Sequence, residues 1–135
     1  MSMSHFNNRG LLFPVRSVWS DEAREAAAEA RKASAAAKAA TDKAAKASDD
    51  VKASKAKVGS DERNALHEKA QHAHERASDA HVAAQEAHGR ASLAAEKDGD
   101  KDAMREHDKA AAEHDDQATE HNRQANKHDE DYVNE

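Results

Sequence analysis

The sequence predicts an all-α protein with three long antiparallel helices in up-down-up order, preceded by an extended N-terminal segment. Charged residues make up 36% of the 135 positions and aromatic residues only 3%, and most of the apolar remainder is alanine, a composition typical of long helices and coiled coils. Small residues recur at alternating spacings of three and four, as they do along the contact of paired helices. Turn signals at Gly59 and Gly99 divide the chain into segments of similar length.

This composition also limits the possible functions. Alanine has the best helix propensity but buries little area, so each one adds little hydrophobic energy. We therefore expect thin contacts between helices, completed by self-association or by a partner, and no large substrate cavity. The absence of cysteine excludes disulfides, zinc–thiolate sites and iron–sulfur clusters. A net charge of −6 argues against sequence-independent nucleic-acid binding, and no run of about 18 apolar residues is present to cross a membrane.

Residues 1–19 differ from the rest because they carry most of the large apolar side chains. Pro14 blocks a regular helix, and Leu11, Phe13 and Val15 alternate as in a strand with one buried face. The segment is interpreted as a peptide that docks on a partner's sheet edge or apolar groove, as a tail that caps the bundle, or as a targeting segment. The residues predicted to contact a partner are Phe6, Leu11, Leu12, Phe13, Val15, Val18 and Trp19.

The first helix is predicted over residues 20–58. Ser20 is placed to cap its start, and Asp21 and Glu22 suit the positive end of the helix dipole. Small residues with heptad spacing predict the face that contacts the other helices. They are Ala23, Ala26, Ala30, Ala33, Ala37, Ala40, Ala44, Ala47, Val51, Ser54 and Val58.

The second and third helices are predicted over residues 60–97 and 100–131. Gly59 ends the first helix and Ser60 caps the second, and Asp98-Gly99-Asp100 provides the next turn. The second helix has its contact row at Leu66, Ala70, Ala73, Ala77, Ala80, Ala84, Ala87, Ala91 and Ala94, with histidines on the flank of this row. The third has small or apolar residues at Met104, Ala111, Ala118 and Ala125, and here the histidines occupy the complementary contact position.

Two runs of four histidines, each with a spacing of seven residues, are the most regular feature of the chain. Seven residues are nearly two helical turns, so each run forms a stripe along one face, with members about 10 Å apart. If the chain folds back at Gly99, the stripes pair in antiparallel order. The predicted pairs are His88 with His107, His81 with His114, His74 with His121, and His67 with His128.

Three interpretations of these pairs compete, and the structural one is favoured: neutral imidazoles fill space beside alanine and hydrogen-bond across the helix pair. The second is a metal site for zinc or copper, with His67, His74, His81, His88, His107, His114, His121 and His128 as candidate ligands. Two imidazoles need further ligands, and the Glu-x-x-His pattern of metal-binding bundles is absent from the third helix. The third is a pH switch, in which protonation places like charges together.

Catalysis has no support in the sequence. Its serines lack a plausible triad, no glycine-rich phosphate loop is present, and the side chains lack the diversity that forms a pocket. We therefore predict a protein that is not an enzyme and has no cofactor.

Three stretches carry a resemblance: residues 73–77 (AHERA), 84–91 (AQEAHGRA) and 110–118 (AAAEHDDQA). They resemble the Ala/His heptad segments of tailed-bacteriophage structural proteins. This resemblance, which spans Leu66 to His128, implies a virion accessory or decoration component whose helical bundle projects from an anchor at residues 1–19. The implied partner is a capsid or other virion protein, with self-association or membership of a larger assembly, and without nucleic acid or membrane. The expected location is the virion, or otherwise the cytoplasm.

Overall fold

The computed structural model describes the backbone of residues 20–134 and the side chains of residues 20–129. Its helices are α1 (Asp21–Ala53), α2 (Asp61–Lys97) and α3 (Lys101–Asn134). The predicted all-α, up-down-up architecture is confirmed, and the described residues contain no strand. The extended segment predicted at residues 1–19 lies outside the described residues.

Each helix begins at a side-chain cap, which the sequence predicted for Ser20 and Ser60. Ser20 Oγ accepts a hydrogen bond from the Ala23 N–H at 3.1 Å, and Ser60 Oγ accepts one from the Arg63 N–H at 3.2 Å. The carboxylate of Asp100 accepts the Ala103 N–H at 3.0 Å. These bonds satisfy N–H groups that have no partner within the first turn of a helix.

The turn between α2 and α3 fixes the start of α1 as well. Gly99 has a φ of +76°, a left-handed conformation that glycine adopts without a steric cost. The preceding Asp98 carboxylate accepts two hydrogen bonds from Ser20, from its backbone N–H at 2.9 Å and its hydroxyl at 3.2 Å. One end of the bundle therefore holds the start of α1, the end of α2 and the start of α3 together.

The first helix ends at Ala53, whereas the sequence pattern predicted that it would continue to Val58. Ser54 adopts an extended conformation, and its hydroxyl accepts a hydrogen bond from the Ala56 N–H at 3.0 Å. Such a local side-chain bond competes with the helical hydrogen bonds. As a result Val58, predicted to face the other helices, lies in the following loop with 56% of its surface exposed.

Alanine forms most of the apolar interior, in small separate clusters. At the turn end, Ala23 and Ala27 of α1 pack with Ala94 and Ala95 of α2 and Ala103 of α3. The predicted contact row of α1 is buried at Ala23, Ala30, Ala37, Ala44, Ala47 and Val51 and half-buried at Ala26, Ala33 and Ala40. A neighbouring row, residues 27, 34, 41 and 48, also faces the other helices.

The three helices do not approach one another equally. Helix α2 packs directly against α1 and α3, whereas α1 and α3 have no Cα atoms within 8 Å of each other over the described residues. Long side chains fill the space between them. Along residues 20–134, no helix is both long and apolar enough to cross a membrane.

Candidate functional site: a buried histidine–hydroxyl ladder

The histidines of α2 and α3 pair across the bundle as predicted. Their Nδ1 atoms lie 2.9 Å apart for His88 and His107, 2.8 Å for His81 and His114, and 2.9 Å for His74 and His121. The fourth pair, His67 and His128, has ring centroids 5.8 Å apart. The pairing follows from two heptad stripes on antiparallel helices that fold about one turn.

Neighbouring pairs also touch, because the rings of α2 and α3 interleave. His88 stacks on His114 with ring centroids 5.6 Å apart, His81 on His121 at 5.5 Å, and His74 on His128 at 5.7 Å. These separations lie within the range of favourable contacts between aromatic rings. The histidines therefore form one continuous row of rings rather than four isolated pairs.

Helix α1 contributes a third set of residues, which the sequence interpretation missed. Three hydroxyls each bond the Nε2 atoms of one α2 histidine and one α3 histidine. Ser34 Oγ lies 2.8 Å from His88 and 2.9 Å from His114. Thr41 Oγ1 lies 2.7 Å from His81 and 3.2 Å from His121. Ser48 Oγ lies 2.7 Å from His74 and 2.9 Å from His128.

A signal for these residues was present in the sequence. Ser34, Thr41 and Ser48 are spaced by seven, like the histidines, and they are hydroxyl residues in a helix whose other small residues are mostly alanine. The alanine row at positions 26, 33, 40 and 47 concealed them because it continues one position away with the same period. Polar residues at heptad spacing within such a helix indicate a polar partner in the bundle.

Together these contacts form one unbroken chain of hydrogen bonds, which we call the histidine–hydroxyl ladder. In order along the bundle, its members are His107, His88, Ser34, His114, His81, Thr41, His121, His74, Ser48 and His128. The histidines of α2 and α3 alternate along it, and a hydroxyl of α1 follows each bonded pair.

All the hydrogen bonds within the ladder can form at once when every imidazole is neutral. A neutral imidazole has one N–H donor and one acceptor nitrogen, and a hydroxyl donates once and accepts. If His107 donates to His88, then His88 donates to Ser34, Ser34 donates to His114, and the same direction continues to His128. In this arrangement the α2 histidines carry the proton on Nε2 and the α3 histidines carry it on Nδ1. The opposite direction is equally satisfied, with both tautomers exchanged.

Burial keeps these imidazoles neutral. The sequence placed the α2 histidines on the flank of the contact row, but His74, His81 and His88 are buried, with at most 8% of their surface exposed. Desolvation is the main cause that lowers the pKa of each to about 4, and the charge of neighbouring histidines lowers it further. Desolvation also lowers the pKa values of His107, His114 and His121.

Charged side chains near the ladder raise the pKa values of some histidines and lower those of others. Glu120 raises the pKa values of His74 and His121, and Glu113 raises that of His114. At His107, Arg31 lowers the pKa, whereas Asp108, Glu106 and Asp100 raise it. Each of the six shifts remains downward because desolvation is the largest contribution.

Each end of the ladder opens into a cavity. His107 lines a cavity of about 180 Å³ together with Arg31, Glu106, His88 and Ala110. At the opposite end, beside the last turns of α1, His128 lines a cavity of about 400 Å³. Its other lining residues are Ser48, Val51, Lys52, Arg63, His67, Gln124 and Lys127. Both volumes exceed the roughly 30 Å³ that one water molecule occupies in the liquid.

The other residues predicted for a site have varied positions. All eight candidate metal ligands lie in the row of rings, and seven of them belong to the ladder. Among the described residues, no group of three or more His, Cys, Asp or Glu is arranged to hold a metal ion. The predicted partner-contacting residues Phe6, Leu11, Leu12, Phe13, Val15, Val18 and Trp19 lie outside the described residues.

Fold and site together define this chain as an antiparallel three-helix bundle that carries a buried ladder of alternating imidazoles and hydroxyls. Comparison with protein-family models, with curated proteins and with solved structures finds no significant match. Its function is therefore inferred from the ladder itself.

Proposed function

We propose that this chain is a non-enzymatic structural and interaction protein, a helical spacer whose packing depends on the histidine–hydroxyl ladder and therefore on pH. The unbroken hydrogen bonding of the ladder supports this proposal most directly. The chain uses seven histidines and three hydroxyls of three helices for internal contacts, which leaves their nitrogens and oxygens engaged with one another.

The ladder supplies specific contacts between the helices that the small alanine clusters cannot supply. Because alanine side chains bury little area, the apolar contacts add little energy per residue. Between α1 and α3 the backbones stay apart, and bonds such as Ser34 to His114 and Ser48 to His128 cross the gap. A buried polar group that loses its partner costs about 1–3 kcal/mol. The ladder therefore favours a single alignment of the helices.

Stability should fall as the pH falls. The pKa values of His74, His81 and His88 are about 4 in the folded chain and about 6.5 when unfolded. Between these values the unfolded chain binds protons that the folded chain does not. The stabilisation is thus fully present above pH 6.5 and is lost as the pH falls through 4. Each such histidine reduces the free energy of unfolding by up to about 1.4 kcal/mol per pH unit in that window.

Thermal unfolding followed by circular dichroism at several pH values tests this dependence. We expect the midpoint temperature to fall steeply between pH 6.5 and 4. His72, which is exposed and lies outside the ladder, provides the control: His72→Gln should keep the wild-type pH dependence. The double variant His81→Leu with His114→Ala, which removes one bonded pair, should show a shallower dependence. An unchanged slope in that variant would refute the proposed role of the ladder.

We further propose that the ladder holds protons rather than a metal or other cofactor. In three of the pairs the Nδ1 atoms bond each other, and the Nε2 atoms of six ladder histidines bond hydroxyls. At any of these three pairs, a zinc or copper ion must break at least two hydrogen bonds and still find further ligands. Isothermal titration of the whole chain at neutral pH distinguishes the alternatives. Affinity for Zn²⁺ or Cu²⁺ tighter than about 100 μM, lost in His81→Leu with His114→Ala, would favour the metal alternative.

The proposed partner contact is residues 1–19, which would anchor the bundle to a larger assembly. Its large apolar side chains support this, because short apolar peptides bind the sheet edges and apolar grooves of partner proteins. The resemblance to tailed-bacteriophage structural proteins supports a virion component, with a capsid or other virion protein as the partner. Light scattering of the native assembly, with and without residues 1–19, tests the anchor. Loss of association on deletion is expected, and unchanged association would contradict it.

A further inference from the structure

The histidine–hydroxyl ladder has the two properties that a proton pathway requires. Its hydrogen bonds are continuous, and its terminal residues, His107 and His128, each line a separate cavity. The last nitrogen at the second end, His128 Nδ1, is itself buried, so exchange with that cavity requires the His128 ring to move. From residue 107 to residue 128 along α3, the path spans about 30 Å at the rise of an α-helix. Packing alone accounts for the hydrogen bonds, because buried polar groups need partners, but it does not account for a cavity at each end.

We propose that the ladder is a proton relay, in which a proton taken up at one end of the bundle releases a proton from the other end. This activity goes beyond that of a pH-dependent spacer. A spacer needs the hydrogen bonds only to hold the helices together, whereas a relay needs a proton to pass along each of them in turn. The ligand is the proton itself, exchanged with water or with a proton-carrying group in each cavity.

The donor and acceptor pattern permits one excess proton at any imidazole of the ladder. An imidazolium donates from both ring nitrogens, so the hydrogen bonds on its two sides point away from it and all remain formed. A second excess proton makes the bonds between the two imidazoliums converge. A hydroxyl between them can accept from both, but its own proton then has no acceptor in the ladder, and the two positive charges repel each other. The ladder therefore favours one excess proton at a time.

Each transfer balances without any other reactant. When an imidazolium on α3 passes its Nδ1 proton to the paired α2 histidine, one N–H bond breaks and one forms. At Thr41, the proton arriving from His81 Nε2 forms an O–H bond while the original hydroxyl proton moves to His121 Nε2. After a full passage one proton has entered, one has left, and every bond has reversed direction. The two directions are the two satisfied tautomer patterns of the neutral ladder.

The charged groups near the pathway are arranged unevenly between its ends. Around His107 lie the carboxylates of Glu106, Asp108 and Asp100, together with the guanidinium of Arg31. Glu113 and Glu120 lie near the middle, beside His114 and His121. The lining of the His128 cavity contains Lys52, Arg63 and Lys127. An excess proton is thus favoured toward the acidic end at His107 and disfavoured at the basic end.

Acceptor residues at opposite ends provide the sharpest test, because they should impose opposite directions. His107→Asp places a carboxylate oxygen near the former Nδ1, so His88 must donate to it and His81 becomes the Nδ1–H tautomer. His128→Glu places one near the former Nε2, so Ser48 must donate to it and His81 becomes the Nε2–H tautomer. Nitrogen-15 NMR of the His81 ring in the full chain at neutral pH distinguishes the two. Their amide counterparts, His107→Asn and His128→Gln, can donate or accept and should impose no direction.

Cutting the ladder in the middle is the matched control. Thr41→Val keeps the shape of the side chain but removes its hydroxyl, which separates His81 from His128. Added to His128→Glu, it should abolish the imposed His81 tautomer; added to His107→Asp, it should leave the tautomer in place. Thr41→Ser should behave like threonine in both backgrounds. The same His81 tautomer in His107→Asp and His128→Glu would overturn the relay, because the ends would then be uncoupled.

Hydrogen exchange tests movement of the proton itself. In the double variant Ser34→Ala with Thr41→Val, the His81 and His114 pair is cut off from both cavities. If protons travel along the ladder, exchange of these ring N–H groups with deuterated solvent should be slower than in the wild type. If exchange instead requires the bundle to open, the destabilised variant should exchange faster. Faster exchange, in a variant that circular dichroism shows to be folded, would contradict the relay.

Discussion

The turn end and the centre of the bundle both pack three helices together, but they do so with different side chains. Near the turn, Ala23, Ala27, Ala94, Ala95 and Ala103 bring the three helices together through methyl contacts. In the centre, imidazoles from α2 and α3 meet hydroxyls of α1. Heptad spacing positions both regions. One repeat can therefore build an apolar contact between helices and a polar one, and we expect only the polar one to depend on pH.

Acid should produce the largest difference in stability between the centre and the turn end. Lowering the pH from 7 to 4 should unfold or loosen the centre, because His74, His81 and His88 must accept protons that their buried positions disfavour. All three pKa shifts are downward, so their contributions to the loss of unfolding free energy have the same sign between pH 6.5 and 4. Amide hydrogen exchange at pH 7 and pH 5 measures the effect by region. Protection should fall more around residues 74–88 than around residues 91–95; equal losses would contradict the distinction.

A smaller effect is expected from removing one hydroxyl from the centre. Thr41→Val leaves the Nε2 atoms of His81 and His121 without their partner, and each unsatisfied group costs about 1–3 kcal/mol. Chemical denaturation at pH 7 measures the loss. Thr41→Ser keeps both hydrogen bonds and should lose less than half as much as Thr41→Val. Equal losses for the two variants would show that the methyl group matters and the hydroxyl does not.

Overpacking the alanine contacts should have a comparable or lesser cost, without dependence on pH. Ala30 is fully buried against Ala87 and Ala91, so Ala30→Leu forces α1 and α2 apart at a cost of about 1–3 kcal/mol. Ala35, which is exposed on the same helix, gives the matched control Ala35→Leu, with little effect. Denaturation at pH 7 and pH 6 should give the same loss for Ala30→Leu relative to the wild type. A loss that changes with pH would link this region to the ladder.

The smallest effect concerns the exposed ion pair between Lys97 and Glu22, whose charged atoms lie 3.5 Å apart at the turn end. Both side chains are mostly exposed, so Glu22→Gln should change the free energy of unfolding by less than about 1 kcal/mol. Denaturation in low and high salt measures this change, and the effect should shrink as salt is added. A larger effect that persists in high salt would indicate a further role for Glu22.

The sequence predicted the helices, their order and the histidine pairing because all three follow from short-range signals. The spacing of seven, together with the turn at Gly99, sets which α2 histidine meets which α3 histidine. The predicted end of α1 was wrong. The heptad pattern continues to Val58, but a local hydrogen bond of the Ser54 side chain competes with the helical hydrogen bonds. The role of Ser34, Thr41 and Ser48 was missed because it depends on the rotation of α1, and two adjacent small-residue rows with the same period left that rotation open.

Scalar coupling between ring nitrogens across the hydrogen bond is the most direct test of the ladder. In uniformly nitrogen-15-labelled protein at neutral pH, we predict a resolved coupling between the Nδ1 atoms of His81 and His114, which lie 2.8 Å apart. Both rings should be neutral, with the proton on opposite nitrogens in the two residues. Absence of that coupling, together with titration of both rings near pH 6.5 as in an unfolded chain, would contradict the buried, neutral, hydrogen-bonded ladder.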